Sequence, residues 1–125
     1  MIGRIGSVEG RPLSGEGIES VVKRLLVGPA DGWQGWALRL FELAPGGHTP
    51  RHRHPWPHVD YITAGHGTLH IDGADNPVET GSFASVGTAV SSNMKWTQKG
   101  SSRLASGWLA IGPTGRVAST ISRRC

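Results

Sequence analysis

Residues 45–67 read PGGHTPRHRHPWPHVDYITAGHG, and five of the six histidines lie in them: His48, His52, His54, His58 and His66. The informative subset is His52-Arg53-His54, followed four residues on by His58. Alternate side chains of a β-strand share a face, so an extended segment turns His52 and His54 the same way. Pro50 before the pair, and Pro55 and Pro57 after it, oppose helix and favour extended chain or a turn. A turn through Pro55-Trp56-Pro57 then brings His58 back beside the pair. Three converging neutral imidazoles suit a divalent transition metal: zinc, manganese, iron, nickel or copper. The plainer alternative is a solvated basic loop, since arginines alternate with these histidines.

Outward from this stretch the chain reads as short strands joined by tight turns. Nineteen glycines and eight prolines in 125 residues point to an all-β domain that buries roughly two-thirds of its unfolded surface. Residues 19–27 (ESVVKRLLV) form one expected strand, residues 28–32 a turn, and residues 33–43 (WQGWALRLFEL) the next strand. In the latter, Ala37, Arg39, Phe41 and Leu43 share one face, with Leu38, Leu40 and Glu42 on the other. Arg39 then either reaches inward to hold an anionic or carbonyl group or snorkels to water. Pro45-Gly46-Gly47 is expected as a turn, residues 59–63 (VDYIT) as a strand, and Gly65-His66-Gly67 as a hairpin apex. Residues 68–72 (TLHID) put Leu69 and Ile71 opposite His70, which reads as a surface or outer-sphere histidine. Asp72-Gly73 opens another turn.

The charge of +4 is scattered, apart from Lys23-Arg24 and Arg123-Arg124, and no aromatic-interleaved basic motif appears, so nucleic acid is not an expected partner. No apolar run is long enough to span a bilayer or serve as a signal peptide, so no membrane partner is expected. The one cysteine, Cys125, allows no internal disulfide, and a cytoplasmic protein is expected.

Gly46, five residues, His52-Arg53-His54, three residues, His58, six residues and Gly65 resemble the first motif of the cupins, G-x5-H-x-H-x3/4-E-x6-G. The pattern extends from Trp36 to Val86. His58 stands where that motif has Glu; a branch of small cupins carries HPW-x-H there and uses this histidine as a ligand. The resemblance implies a single cupin domain over residues 1–125, a jelly-roll (double-stranded β-helix) barrel, dimeric, with His52, His54 and His58 as metal ligands. It also implies a metal-dependent enzyme acting on a small organic molecule, with dioxygenase chemistry ahead of isomerase, lyase or polyketide cyclase chemistry. Asp60 and Tyr61 are the candidate outer-sphere or acid–base groups, and Trp36, Phe41, Trp56, Tyr61 and Phe83 could line an apolar pocket. A non-catalytic cupin that binds a small ligand or acts as a sensor is the reading from another class.

The second cupin motif, G-x5-P-x-G-x2-H-x3-N, survives only at Gly81; Gly87, Ala89, Ser92 and Trp96 fall at its Pro, Gly, His and Asn. A serine hydroxyl binds such metals weakly beside an imidazole. Residues 89–107 lack alternation, and only Trp108-Leu109-Ala110-Ile111 reads as a strand before the tail. Read two bases on, the codons from Asn93 give Tyr or His, then Glu, Val or Met, and Asp, which small cupins show after the second-motif His. Either the reading frame slipped near residues 87–92 or this is a natural divergent tail. The base sequence of an intact relative separates the two.

Overall fold

The computed structural model describes residues 1–51, 53, 56–87, 90–96 and 107–113, with the backbone alone at 96, 107–111 and 113. Among the described residues nine strands form: β1 (Arg11–Leu13), β2 (Glu19–Val27), β3 (Trp36–His48), β4 (His58–Ala64), β5 (His66–Ile71), β6 (Ala74–Glu79), β7 (Phe83–Val86), β8 (Ser92–Trp96) and β9 (Gly107–Pro113). Every pairing is antiparallel. The strands follow the order β6-β5-β8-β3-β9-β4-β7, with β2 on the other edge of β3 and β1 beyond it. This is the all-β jelly roll expected.

β3 belongs to both layers. Its first half, Trp36 to Glu42, pairs with β9, and its last residue, His48, pairs with β8. The chain turns between layers at a bulge, where β2 pairs Glu19 with His48 but Val21 with Leu43. Pro45-Gly46-Gly47, expected as a turn, is therefore part of β3, and the local kink comes from unpaired extra residues. A Cβ on Gly47 would lie 2.9 Å from each of three main-chain oxygens, those of Ala44, Glu19 and Ser20. Only glycine fits where these backbones cross.

Gly65-His66-Gly67 is likewise not a hairpin apex. β4 pairs with β7 and β9, whereas β5 pairs with β6 and β8, so the chain changes layer at Gly65, whose φ is 89°. Thr80 fastens this corner: Gly65 N–H donates to its Oγ1 at 3.1 Å, and its N–H donates to the Gly65 carbonyl at 3.1 Å. The true hairpin is β5–β6, closed by Asp72 (φ 44°) and Gly73 (φ 89°) in the left-handed region its tight turn requires.

The core draws one side chain from each of five strands: Val21, Leu43, Ile62, Leu69 and Met94, with Leu13, Ile18, Phe41, Ile71, Val78 and Ala84 packed around them. Val21 faces Leu43 and Leu69 faces Met94 directly across their ladders. Met94 lies in β8, a strand the sequence hides because the inward partner of Met94 is the polar Ser92, which breaks the apolar alternation. The amino-terminal residues lie along β2. Arg24 pairs with Glu42 and donates to the carbonyl of Val8. Among the described residues no helix is long and apolar enough to cross a membrane.

Candidate metal centre

The site is built on β4. Ile62 lies in the core, so strand alternation turns Asp60 and His58 to the same inner face, and the burial along the strand follows that period. His58 Nε2 lies 3.4 Å from Asp60 Oδ2, with their side chains 18% and 5% exposed. The other oxygen, Oδ1, is buried and has no hydrogen-bond partner among the described residues. An ionised carboxylate held out of water with an unmet oxygen is costly unless a cation meets it.

The neighbouring strands leave room at this place. In register, His58 faces Val86 and Asp60 faces Ala84 of β7. On the other side, Gly112 of β9 lies beside His58; a Cβ on it would stand 3.4 Å from that of His58 and 3.8 Å from Trp56 Cδ1. Position 110 pairs with both Asp60 and Arg39, so Arg39 occupies the same cross-strand row as Asp60, one strand further round. Arg39 is half-buried and shares its face with Phe41 and Leu43, as the alternation of β3 implies.

His52 and His54 lie outside the described residues, as does Pro55; the flanking Arg51 and Arg53 are exposed. Among the described residues no three His, Cys, Asp or Glu side chains cluster to hold an ion. The donor chemistry nevertheless fits a divalent cation: an imidazole and a buried carboxylate with an unmet oxygen, two strand positions apart and following the His-x-His pair.

The remaining expected groups separate. Tyr61, paired in sequence with Asp60 as a proton-handling candidate, lies on the opposite face of β4, about half exposed, beside Phe83 of β7. It shares no face with His58. Of the five aromatics expected to line a pocket, Trp56 is buried next to His58 and Phe41 packs on the core, whereas Trp36, Tyr61 and Phe83 are exposed. His48 bonds through Nδ1 to the Gly17 carbonyl at 2.8 Å, and His70 bonds through Nδ1 to Asp75 at 2.6 Å across the β5–β6 hairpin. His66 is exposed.

Thr49 escaped the sequence reading. It exchanges hydrogen bonds with Met94: its N–H donates to the Met94 carbonyl at 2.9 Å, and its Oγ1 accepts from Met94 N–H at 2.9 Å. Asn93 Nδ2 adds a bond to the Thr49 carbonyl at 3.3 Å. These contacts tie β8, and Ser92 with it, to the chain just before the histidines. Ser92 is buried on the side of Met94.

No curated protein sequence matches this chain. Solved structures do. The polyketide cyclase RemF from Streptomyces resistomycificus is similar with a TM-score of 0.77 at 20% identity, over 98% of this chain and 94% of that one. A cupin-2 domain protein from Rhodospirillum rubrum gives 0.78 at 22% identity, over 93% and 76%. A predicted oxalate decarboxylase from Thermotoga maritima gives 0.76 at 21%, over 90% and 98%. At these identities the likeness is one of fold. The profile of the cupin domain matches residues 39–106, more than half of the 125 residues, and the chain belongs to the cupin family.

Proposed function

We propose that this cupin is a metal-dependent enzyme acting on a small organic molecule. The observation that carries the reading is the inner-face pair His58 and Asp60, with a buried carboxylate oxygen that no described residue meets. His52, His54 and His58 would hold the metal. When bound, it would supply Lewis-acid polarisation of an oxygen or, as a redox ion, dioxygen chemistry. The chain's own residues do the rest. Ala37, Ala84 and Gly112 place small residues along the inner rows, and Trp56 is buried beside His58. Arg39, in the row of Asp60, is suited to orient an anionic or carbonyl oxygen of the substrate.

Dioxygenase chemistry stays ahead of the non-redox alternatives because imidazole donors also hold iron and copper, ions that can activate dioxygen. The likeness to a polyketide cyclase motivates the non-redox reading, with zinc. The test is turnover by the metal-loaded chain on enol, phenol and β-dicarbonyl compounds, with oxygen uptake followed beside product. Oxygen consumed with product supports the oxygenase; product formed anaerobically supports a cyclase, isomerase or lyase. Tight metal without turnover favours a ligand-binding or sensor cupin, a reading that Ser92 at the second-motif histidine keeps in view.

A homodimer in the cytoplasm is part of the same proposal. Val59, Tyr61 and Phe83 expose an apolar strip on the outer face of β4 and β7, with Phe83 81% exposed, and such strips mark contact surfaces. The double variant Tyr61→Ser/Phe83→Glu is expected to elute and scatter light as a monomer while keeping its metal. A variant still dimeric would move the interface elsewhere.

A further inference from the structure

We propose that Asp60 is itself a metal ligand and supplies the donor that Ser92 does not. The inference rests on the metal-dependent reading above and names a residue at a position that neither cupin motif specifies, two residues after His58. The 3.4 Å between His58 Nε2 and Asp60 Oδ2 is its first support. That is longer than a charge-assisted N–H···O bond, about 2.7–2.9 Å. Two donors that share one tetrahedral ion through bonds of about 2.0–2.1 Å stand about 3.3–3.4 Å apart. The pair is thus spaced as co-ligands.

Burial is the second support. Asp60 is 3% exposed, and its Oδ1 has no hydrogen-bond partner among the described residues. Were Asp60 only an orienting partner for the histidine, a shorter bond and a satisfied second oxygen would be expected, as outer carboxylates are usually hydrogen-bonded. A cation beside Oδ2 offsets the cost of the buried charge.

Composition of the site is the third. Ser92 brings a neutral hydroxyl to the second-motif position, and His58 replaces the carboxylate of the first motif. Without Asp60 the donors would be three neutral imidazoles and no anion. With Asp60 the set is three imidazoles and one carboxylate, the anion entering from two residues along the same inner face. This mixture favours iron or manganese over an all-imidazole zinc site.

The test uses the full chain with cobalt(II) and manganese(II), measuring affinity by calorimetry and the cobalt visible absorption. Asp60→Asn keeps the shape and removes the charge. It is expected to lower affinity by more than about 100-fold, the upper end of what loss of an outer partner costs, and to change the cobalt spectrum. Adding Ser92→His to Asp60→Asn should recover most of that affinity. The metal-free Asp60→Asn protein should melt no lower than the parent, since the unmet charge is gone. X-ray absorption of the cobalt-loaded parent should show oxygen as well as imidazole ligation, a measurement that needs no variant to fold.

An Asp60→Asn protein that binds as the parent does, or more weakly with an unchanged cobalt spectrum, overturns the assignment and makes Asp60 a positioning residue for His58. A parent shown to hold only imidazole and water ligands overturns it as well. A parent that binds neither metal removes the underlying metal reading instead, so the two failures are told apart.

Discussion

Alanine at both His52 and His54 is expected to strip the protein of its metal. Binding of about 10–16 kcal/mol by a four-ligand zinc site is about 3 kcal/mol per ligand, so losing two costs about 6 kcal/mol. That is roughly a 10⁴-fold loss of affinity. The single change His58→Ala should cost about half as many decades. The double change leaves the core residues Val21, Leu43, Ile62, Leu69 and Met94 unaltered, so the metal-free variants should melt close to the metal-free parent. The readout is metal per chain by elemental analysis after gel filtration, with a melt as control. A double variant that keeps the parent's metal would put the ion elsewhere on the chain.

Gly47→Ala is the largest expected effect on stability. The new methyl would meet three carbonyl oxygens at 2.9 Å, and all three are main chain, so no rotamer change relieves the contact. Relief requires moving β2 away from β3 at the bulge that joins the two layers. We expect a loss of about 3 kcal/mol, the upper end for overpacking. In a chain of this length that lowers the melting temperature by roughly 10 °C. Gly73→Ala is the control: its φ is 89° but nothing lies within 4 Å, so the cost is that of backbone strain, about 1 kcal/mol. Equal melting temperatures for the two variants would show that the crossing at Gly47 yields easily.

The parts legible in the sequence were those where side-chain period and fold agree. β3 and β5 alternate well enough that two faces can be assigned residue by residue, which put Arg39 with Phe41 and Leu43, and His70 opposite Leu69. The same period separates Asp60 from Tyr61, because adjacent residues on a strand cannot share a face. What the sequence hid is how strands change layer. Gly65 and the Pro45-Gly46-Gly47 run carry the signs of turns, and a sharp corner or a bulge uses the same residues as a hairpin. β8 was hidden by Ser92, an inward polar residue in a five-residue strand. Thr49 gave no signal, since its contacts with Met94 span 45 residues.

At the site, the first motif marked the histidines through spacing and prolines. The burial of Asp60 and its unmet oxygen required the barrel to be closed around it. The small residues beside the pair, Ala84 facing Asp60 and Gly112 next to His58, are ordinary strand positions until pairing brings them together.

The most direct measurement is the metal content of the unaltered protein after incubation with iron(II), manganese(II) and zinc in turn and removal of excess ion. One tightly held ion per chain is expected, with iron or manganese retained. A chain that emerges metal-free from all three would contradict it.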